Sequence, residues 1–172
     1  MVREIVHDPM FLQRKSEDAT QADLQTAQDL LDTLRANFDR CVGMAANMIG
    51  VAKRIIAIND NGKYLVMFNP EIISKFGEFE TEEGCLSLDG ERKTVRYKTI
   101  KVKYFNENFK PVKRSFSDFT AQIIQHEIDH CNGMIQHNMP KTRRRETLSI
   151  KSPAFPRSKS TCSSKAPARL IA

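Results

Sequence analysis

The sequence predicts an α+β domain, with helices kept to the two ends of residues 1–138 and antiparallel strands between them. Three observations carry this. An amphipathic run follows Thr20, short stretches rich in Ile, Val, Phe and Tyr fill the middle, and a second helical stretch stops at Asn132-Gly133. Helices at the ends with antiparallel strands between them suit an α+β arrangement.

The first helix begins where Thr20-x-x-Asp23 can supply an N-cap and an acid in the first turn. Leu24, Ala27, Leu31, Leu34 and Phe38 then recur at three-and-four spacing, the stripe of a helix packed on a core. After Cys41-Val42-Gly43-Met44-Ala45-Ala46 the pattern turns to strands. Residues 54–59 and 63–69 flank Asp60-Asn61-Gly62, whose Asn-Gly pair can take the positive φ angles of a tight hairpin. Residues 70–76 read as another edge strand. Residues 94–105 and 110–116 flank Asn106-Glu107-Asn108, a second hairpin. The last helix starts at Ser117 or Asp118 and runs to about Cys131, with Asn132-Gly133 as its stop.

Length and composition bound the rest. A chain of 172 residues suits one domain, and four cysteines at 41, 85, 131 and 162 show no C-x-x-C pairing, which favours a reducing compartment. The N-terminal residues lack the apolar core of a signal peptide, and no apolar run approaches the ~20 residues that cross a bilayer. We expect a cytoplasmic protein with neither membrane nor DNA among its partners. The net charge of +6 is unevenly placed: residues 139–172 hold nine Lys or Arg against one Glu, leaving residues 1–138 with 18 basic and 20 acidic side chains. Polyanion binding therefore rests on the tail alone. That tail is rich in Ser, Pro and basic residues without an apolar period, so we expect residues 139–172 to be mostly disordered beside a catalytic domain at 1–138.

The chemistry concentrates in His126-Glu127-Ile128-Asp129-His130, an H-E-x-x-H within the last helix. Residues four apart share a helical face, so both imidazoles can reach one metal while Glu127 contacts the water there. Ile123 and Phe119 fall on that face one and two turns earlier and can wall an apolar substrate pocket. A catalytic centre normally has three protein ligands and an open position. Glu83-Gly84-Cys85-Leu86-Ser87 is the source of the third, because Gly84 permits close approach and Cys85 offers a thiolate.

These blocks, with Gly43-Met44-Ala45-Ala46 upstream, resemble the three signature blocks of the peptide deformylases. Glu83 to Ser87 repeats the family's E-G-C-L-S, and Gln125 to His130 with Gly133 repeats its Q-H-E-x-D-H-x-x-G, in the same order. Asp8-Pro9 and Arg96-x-x-x-Ile100 look like further family positions, so the resemblance spans about residues 3–138. It implies an α+β fold of small antiparallel sheets around a central helix carrying the metal motif. It further implies hydrolysis of the formyl group from N-formylmethionyl nascent peptides, with Cys85, His126 and His130 holding one Fe²⁺ that Zn²⁺ or Ni²⁺ can replace. In that reading Glu127 is general base and acid for a metal-activated water, and the backbone N–H of Leu86 stabilises the oxyanion. Substrate backbone pairs along Val42, Gly43 and Met44 and near Gly84.

The first block departs from the family, which has Gly where Cys41 stands and a Gln oxyanion donor where Met48 stands. A thioether donates no hydrogen bond. Asn47 could supply an amide in its place. The departure motivates an alternative: a weakly active deformylase-like protein that binds formylated nascent chains or ribosomes, the latter through the basic tail. A metallopeptidase of the usual H-E-x-x-H kind takes its last ligand downstream, where no residue stands out. Glu83 and Arg96 are expected to form an ion pair behind the site, Asp129 to support a histidine or meet a cation, Cys131 to be core, and His7 and His137 to be surface histidines.

Overall fold

Capping and turn chemistry set the first elements where the sequence places them. In the computed structural model, residues 1–134 are described, with the side chains of residues 89–92 excepted. The expected disordered tail, its boundary at residue 138 and His137 lie outside the described residues.

Asp8 caps a one-turn helix α1 (Pro9–Leu12), its carboxylate accepting from the Met10 N–H. Thr20 and Asp23 form the reciprocal capping box, which opens a 3-10 turn and then α2 (Leu24–Ala36). The helix ends earlier than its apolar stripe. Asn37 closes it with N–H bonds to the Thr33 and Leu34 carbonyls, so Phe38 falls beyond the end and is 69% exposed. Leu24, in the first turn, is also exposed. Ala27, Leu30, Leu31 and Leu34 form the buried face.

Five antiparallel strands follow in chain order, β1 (Gly43–Ala45), β2 (Ile55–Asp60), β3 (Lys63–Cys85), β4 (Leu88–Phe105) and β5 (Pro111–Ser117). The small sheets expected are joined into one. The β2–β3 hairpin turns at Asn61 and Gly62, both at positive φ, as their sequence predicts. Residues 70–76 do not make a separate edge strand. They continue β3 through two register shifts, between Phe68 and Glu71 and between Ile72 and Ser74, so that Pro70, which has no N–H for the ladder, sits at an irregularity.

Period-two alternation places the site. In β2, Ile55 and Ala57 join a cluster with Leu30, Leu34, Met44 and Met48, while Ile56 and Ile58 face the other way onto Ile123, Ile124 and Ile128. Both faces are thus covered, which is why β2 reads as an unbroken apolar run. The second cover is α3 (Asp118–Cys131), buried on nearly every side from Ala121 onward. A helix so enclosed can hold histidines and a glutamate away from bulk water.

Candidate metal centre

Two elements deliver the candidate ligand atoms. Helix α3 sets His126 and His130 one turn apart with ring centroids at 5.1 Å, and the end of β3 carries Cys85 just past a register shift at Gly84. One ligand atom from each of the three lies within 4.8 Å of the other two, and Cys85 Sγ is 3.4 Å from His130 Nε2. Tetrahedral coordination at metal–ligand lengths of ~2.0–2.3 Å calls for donors roughly 3.4–3.7 Å apart. The Cys85–His130 separation meets that, and the other two pairs lie within 4.8 Å.

Protonation states fit a cation as well. Burial would raise the Glu83 carboxyl, but hydrogen bonds from Arg96 and His126 outweigh it and hold its pKa at about 2. A carboxylate only accepts, so His126 Nδ1, 2.9 Å from Glu83 Oε2, carries the ring proton. His126 Nε2, at the other side of the ring, is buried without a hydrogen-bond partner. His130 is likewise buried with an unpartnered nitrogen, and burial pushes its pKa down to about 3, so it is neutral at pH 7. Burial pushes the Cys85 thiol up to about 12 against the backbone donors Ser87 and Leu88. A divalent ion held here would supply the positive charge that favours the deprotonated thiolate and the neutral imidazoles as ligands.

Behind the ligands lies an ion network. Arg96 donates from Nε and Nη2 to the two Glu83 oxygens at 2.8 and 2.7 Å, and from Nη1 to Asp129 Oδ2 at 2.6 Å. Gln122 adds a donor to Glu83 at 3.1 Å. The expected Glu83–Arg96 pair is thus part of a three-residue network in which Asp129 meets the cation. Gln125 fastens the helix to the sheet, accepting from the Tyr97 N–H and donating to the Tyr97 carbonyl on the edge of β4.

Glu127 faces β1. A Cβ placed on Gly43 would lie 2.6 Å from both Glu127 Oε1 and Ile123 Cγ2, so only glycine fits there. Both Glu127 oxygens are buried without a partner, and burial, then the nearby Glu83 charge, raise its pKa well above the carboxylate range. Val42 O accepts from the Asn59 N–H, and Gly43 pairs opposite Ile58. By the alternation of an antiparallel ladder, Val42 and Met44 turn their backbone groups to β2 and Gly43 turns its own to the open edge. Leu86 sits in the turn after Cys85. Phe119 and Ile123 line a cavity of about 370 Å³ shared with Asn59, Asp60, Arg114 and Asp118. No metal ligand lines it. Ile123 lines the cavity and also lies against Gly43, beside Glu127.

The polypeptide deformylase family profile matches residues 2–145. This chain belongs to the peptide deformylase family. A peptide deformylase of Clostridium beijerinckii is 54% identical over 135 residues, covering 78% of this chain and 99% of the relative. One from Pseudothermotoga lettingae is 40% identical over 152 residues, 84% of this chain and 86% of that one. Among solved structures, a peptide deformylase of Legionella pneumophila has a TM-score of 0.74 at 35% identity, with 83% of this chain and 88% of that chain covered. The Met-Ala-Ser-bound class I type b enzyme of Acinetobacter baumannii has a TM-score of 0.73 at 27% identity, covering 80% and 98%. The family is metal-dependent, and the cluster of Cys85, His126 and His130 is a possible metal site.

Some features of this deformylase were not readable beforehand. Asn47 is no substitute for the family's Gln, because its amide donates to the His130 carbonyl at 2.9 Å and reaches Leu12 O at 3.5 Å. Met48 is fully buried, and its sulfur receives the Ala45 N–H at 3.5 Å. Nothing in the comparisons supports the alternative of a weakly active binding protein. His7 is exposed, as expected; Gln122 carries no sequence signal, and although the family motif marks Gln125, its partner on β4 follows only from packing.

Proposed function

We propose that this chain hydrolyses the N-formyl group of N-formylmethionine on newly synthesised peptides, using one Fe²⁺ held by Cys85, His126 and His130, with Zn²⁺ or Ni²⁺ able to take its place. The observation that carries the reading is the Glu127 carboxylate, buried and unpartnered, next in sequence to a ligand and pressed against a glycine edge. A divalent ion supplies Lewis-acid activation of water and of the formyl oxygen. Glu127 takes the proton from the attacking water and returns it to the departing amine, and an elevated pKa suits a group that must do both. The Leu86 N–H faces the developing oxyanion. Peptide backbone lies extended beside Gly43, flanked by Val42 and Met44, and reaches Gly84, with Ile123 and Phe119 receiving the methionine side chain. The Acinetobacter baumannii neighbour, solved with Met-Ala-Ser bound, supports this substrate class.

Release of formate from formyl-Met-Ala-Ser, abolished by Glu127→Ala, tests the reading. The assay is run without oxygen, since Fe²⁺ beside a thiolate oxidises readily. No release by iron-loaded protein overturns it. The cytoplasm suits such a site; among the described residues no helix is long and apolar enough to cross a membrane. The basic segment 141–145 is proposed to contact the ribosome, with an affinity that falls as salt rises. An affinity unchanged by deleting residues 139–172 would discard that contact.

A further inference from the structure

The exposed imidazole of His7 reaches the turn that carries Cys85. Its Nδ1 is 3.2 Å from the Ser87 carbonyl oxygen. A carbonyl only accepts, so Nδ1 bears the proton in this contact. The same peptide unit, Ser87–Leu88, presents its N–H at the opposite edge, and the Leu88 N–H, across the ladder from Cys85, is a backbone donor to the Cys85 sulfur. A trans peptide is planar with C=O and N–H pointing opposite ways, so His7 and the sulfur hold one rigid plane from two sides. His7 itself is fixed by its neighbours. The Val6 N–H bonds Met48 O at 2.8 Å, and Asp8 caps α1 through the Met10 N–H at 2.9 Å.

We propose that His7 is a positioning residue for the Cys85 ligand: its Nδ1–H donates to Ser87 O, fixes the Ser87–Leu88 peptide and aims the Leu88 N–H at Sγ. Donation to the carbonyl polarises the peptide and makes its N–H the better donor. A stronger N–H···S bond steadies the thiolate and draws charge from it, as outer partners of a metal ligand do. The inference rests on Cys85 being a ligand, as proposed above.

Cobalt-substituted protein separates the two claims. The parent is expected to show a thiolate-to-cobalt charge-transfer band that Cys85→Ser abolishes. His7→Phe should move that band to lower energy and speed Co²⁺ transfer to a chelator about three- to tenfold, below the 10- to 100-fold typical of direct outer partners. His7→Asn, whose amide can still donate to Ser87 O, should resemble the parent on both readouts, which a merely space-filling role would not produce. A His7→Phe protein matching the parent in band and release rate overturns the proposal, as does a His7→Asn protein behaving like His7→Phe. A band surviving in Cys85→Ser, or absent from the parent, instead overturns the ligand assignment on which it stands.

Discussion

Adding one methyl group at Gly43 probes how closely Glu127, the proposed base, is seated. The new Cβ would stand 2.6 Å from Glu127 Oε1 and from Ile123 Cγ2, whereas ordinary contact begins at 3.4 Å, so each neighbour must yield about 0.8 Å. Neither has free space, Glu127 being fully buried and Ile123 1% exposed. Overpacking of this kind costs about 1–3 kcal/mol. A displacement near 1 Å at a reacting group costs roughly 10²-fold in rate. Gly43→Ala should therefore lose about 10²-fold in kcat/KM on formyl-Met-Ala-Ser and about 1–3 kcal/mol in denaturant unfolding, with metal content kept because no ligand is touched. Ile123→Ala removes the second clash and leaves the first. The double variant should show stability losses that are less than additive, by about 0.5–3 kcal/mol, while the rate stays low. A Gly43→Ala enzyme that turns over at the parent rate refutes the seating of Glu127 against this edge.

The remaining expectations concern the charges. Arg96→Met leaves Glu83, 0% exposed, without its bidentate partner and should cost about 3–5 kcal/mol in chemical denaturation; a loss under 1 kcal/mol contradicts the network. Because Glu83 has its folded pKa lowered from 4.5 to about 2, its contribution is complete above pH 4.5 and disappears as pH falls towards 2. The stability gap between parent and Glu83→Gln should accordingly narrow over that range, and a gap independent of pH would contradict the assignment. The Cys85 thiol, pushed up to about 12, is protonated at pH 7 in the metal-free protein, while His130, near 3, is already neutral. Metal uptake should thus release about one proton more from the parent than from Cys85→Ser, measured by calorimetry in buffers of different ionisation enthalpy; equal release argues against thiolate ligation.

Much of this centre was legible because its parts are local. The four-residue spacing of His126 and His130 places two imidazoles on one face of any helix, and the end of that helix was set by Asn132-Gly133. Asn61-Gly62 made its hairpin for the same reason, since the φ angles belong to those two residues. Periodicity was less dependable at the ends of α2, where backbone capping at Asn37 stopped the helix before Phe38 could join the stripe. It also failed at Pro70, where register shifts carried β3 past a residue that usually ends a strand.

By itself the sequence determined which residues could bind a cation and which helix would carry them, because donor type and helical spacing are properties of short segments. Tertiary packing alone decided that Cys85, 41 residues from His126, stands 3.4 Å from His130, that Arg96, expected to pair with Glu83, is also the cation Asp129 meets, and that Asn47 spends its amide on the His130 carbonyl. Those distances depend on how β3, β4 and α3 pack across the sheet, and no short-range rule of spacing or propensity contains that information.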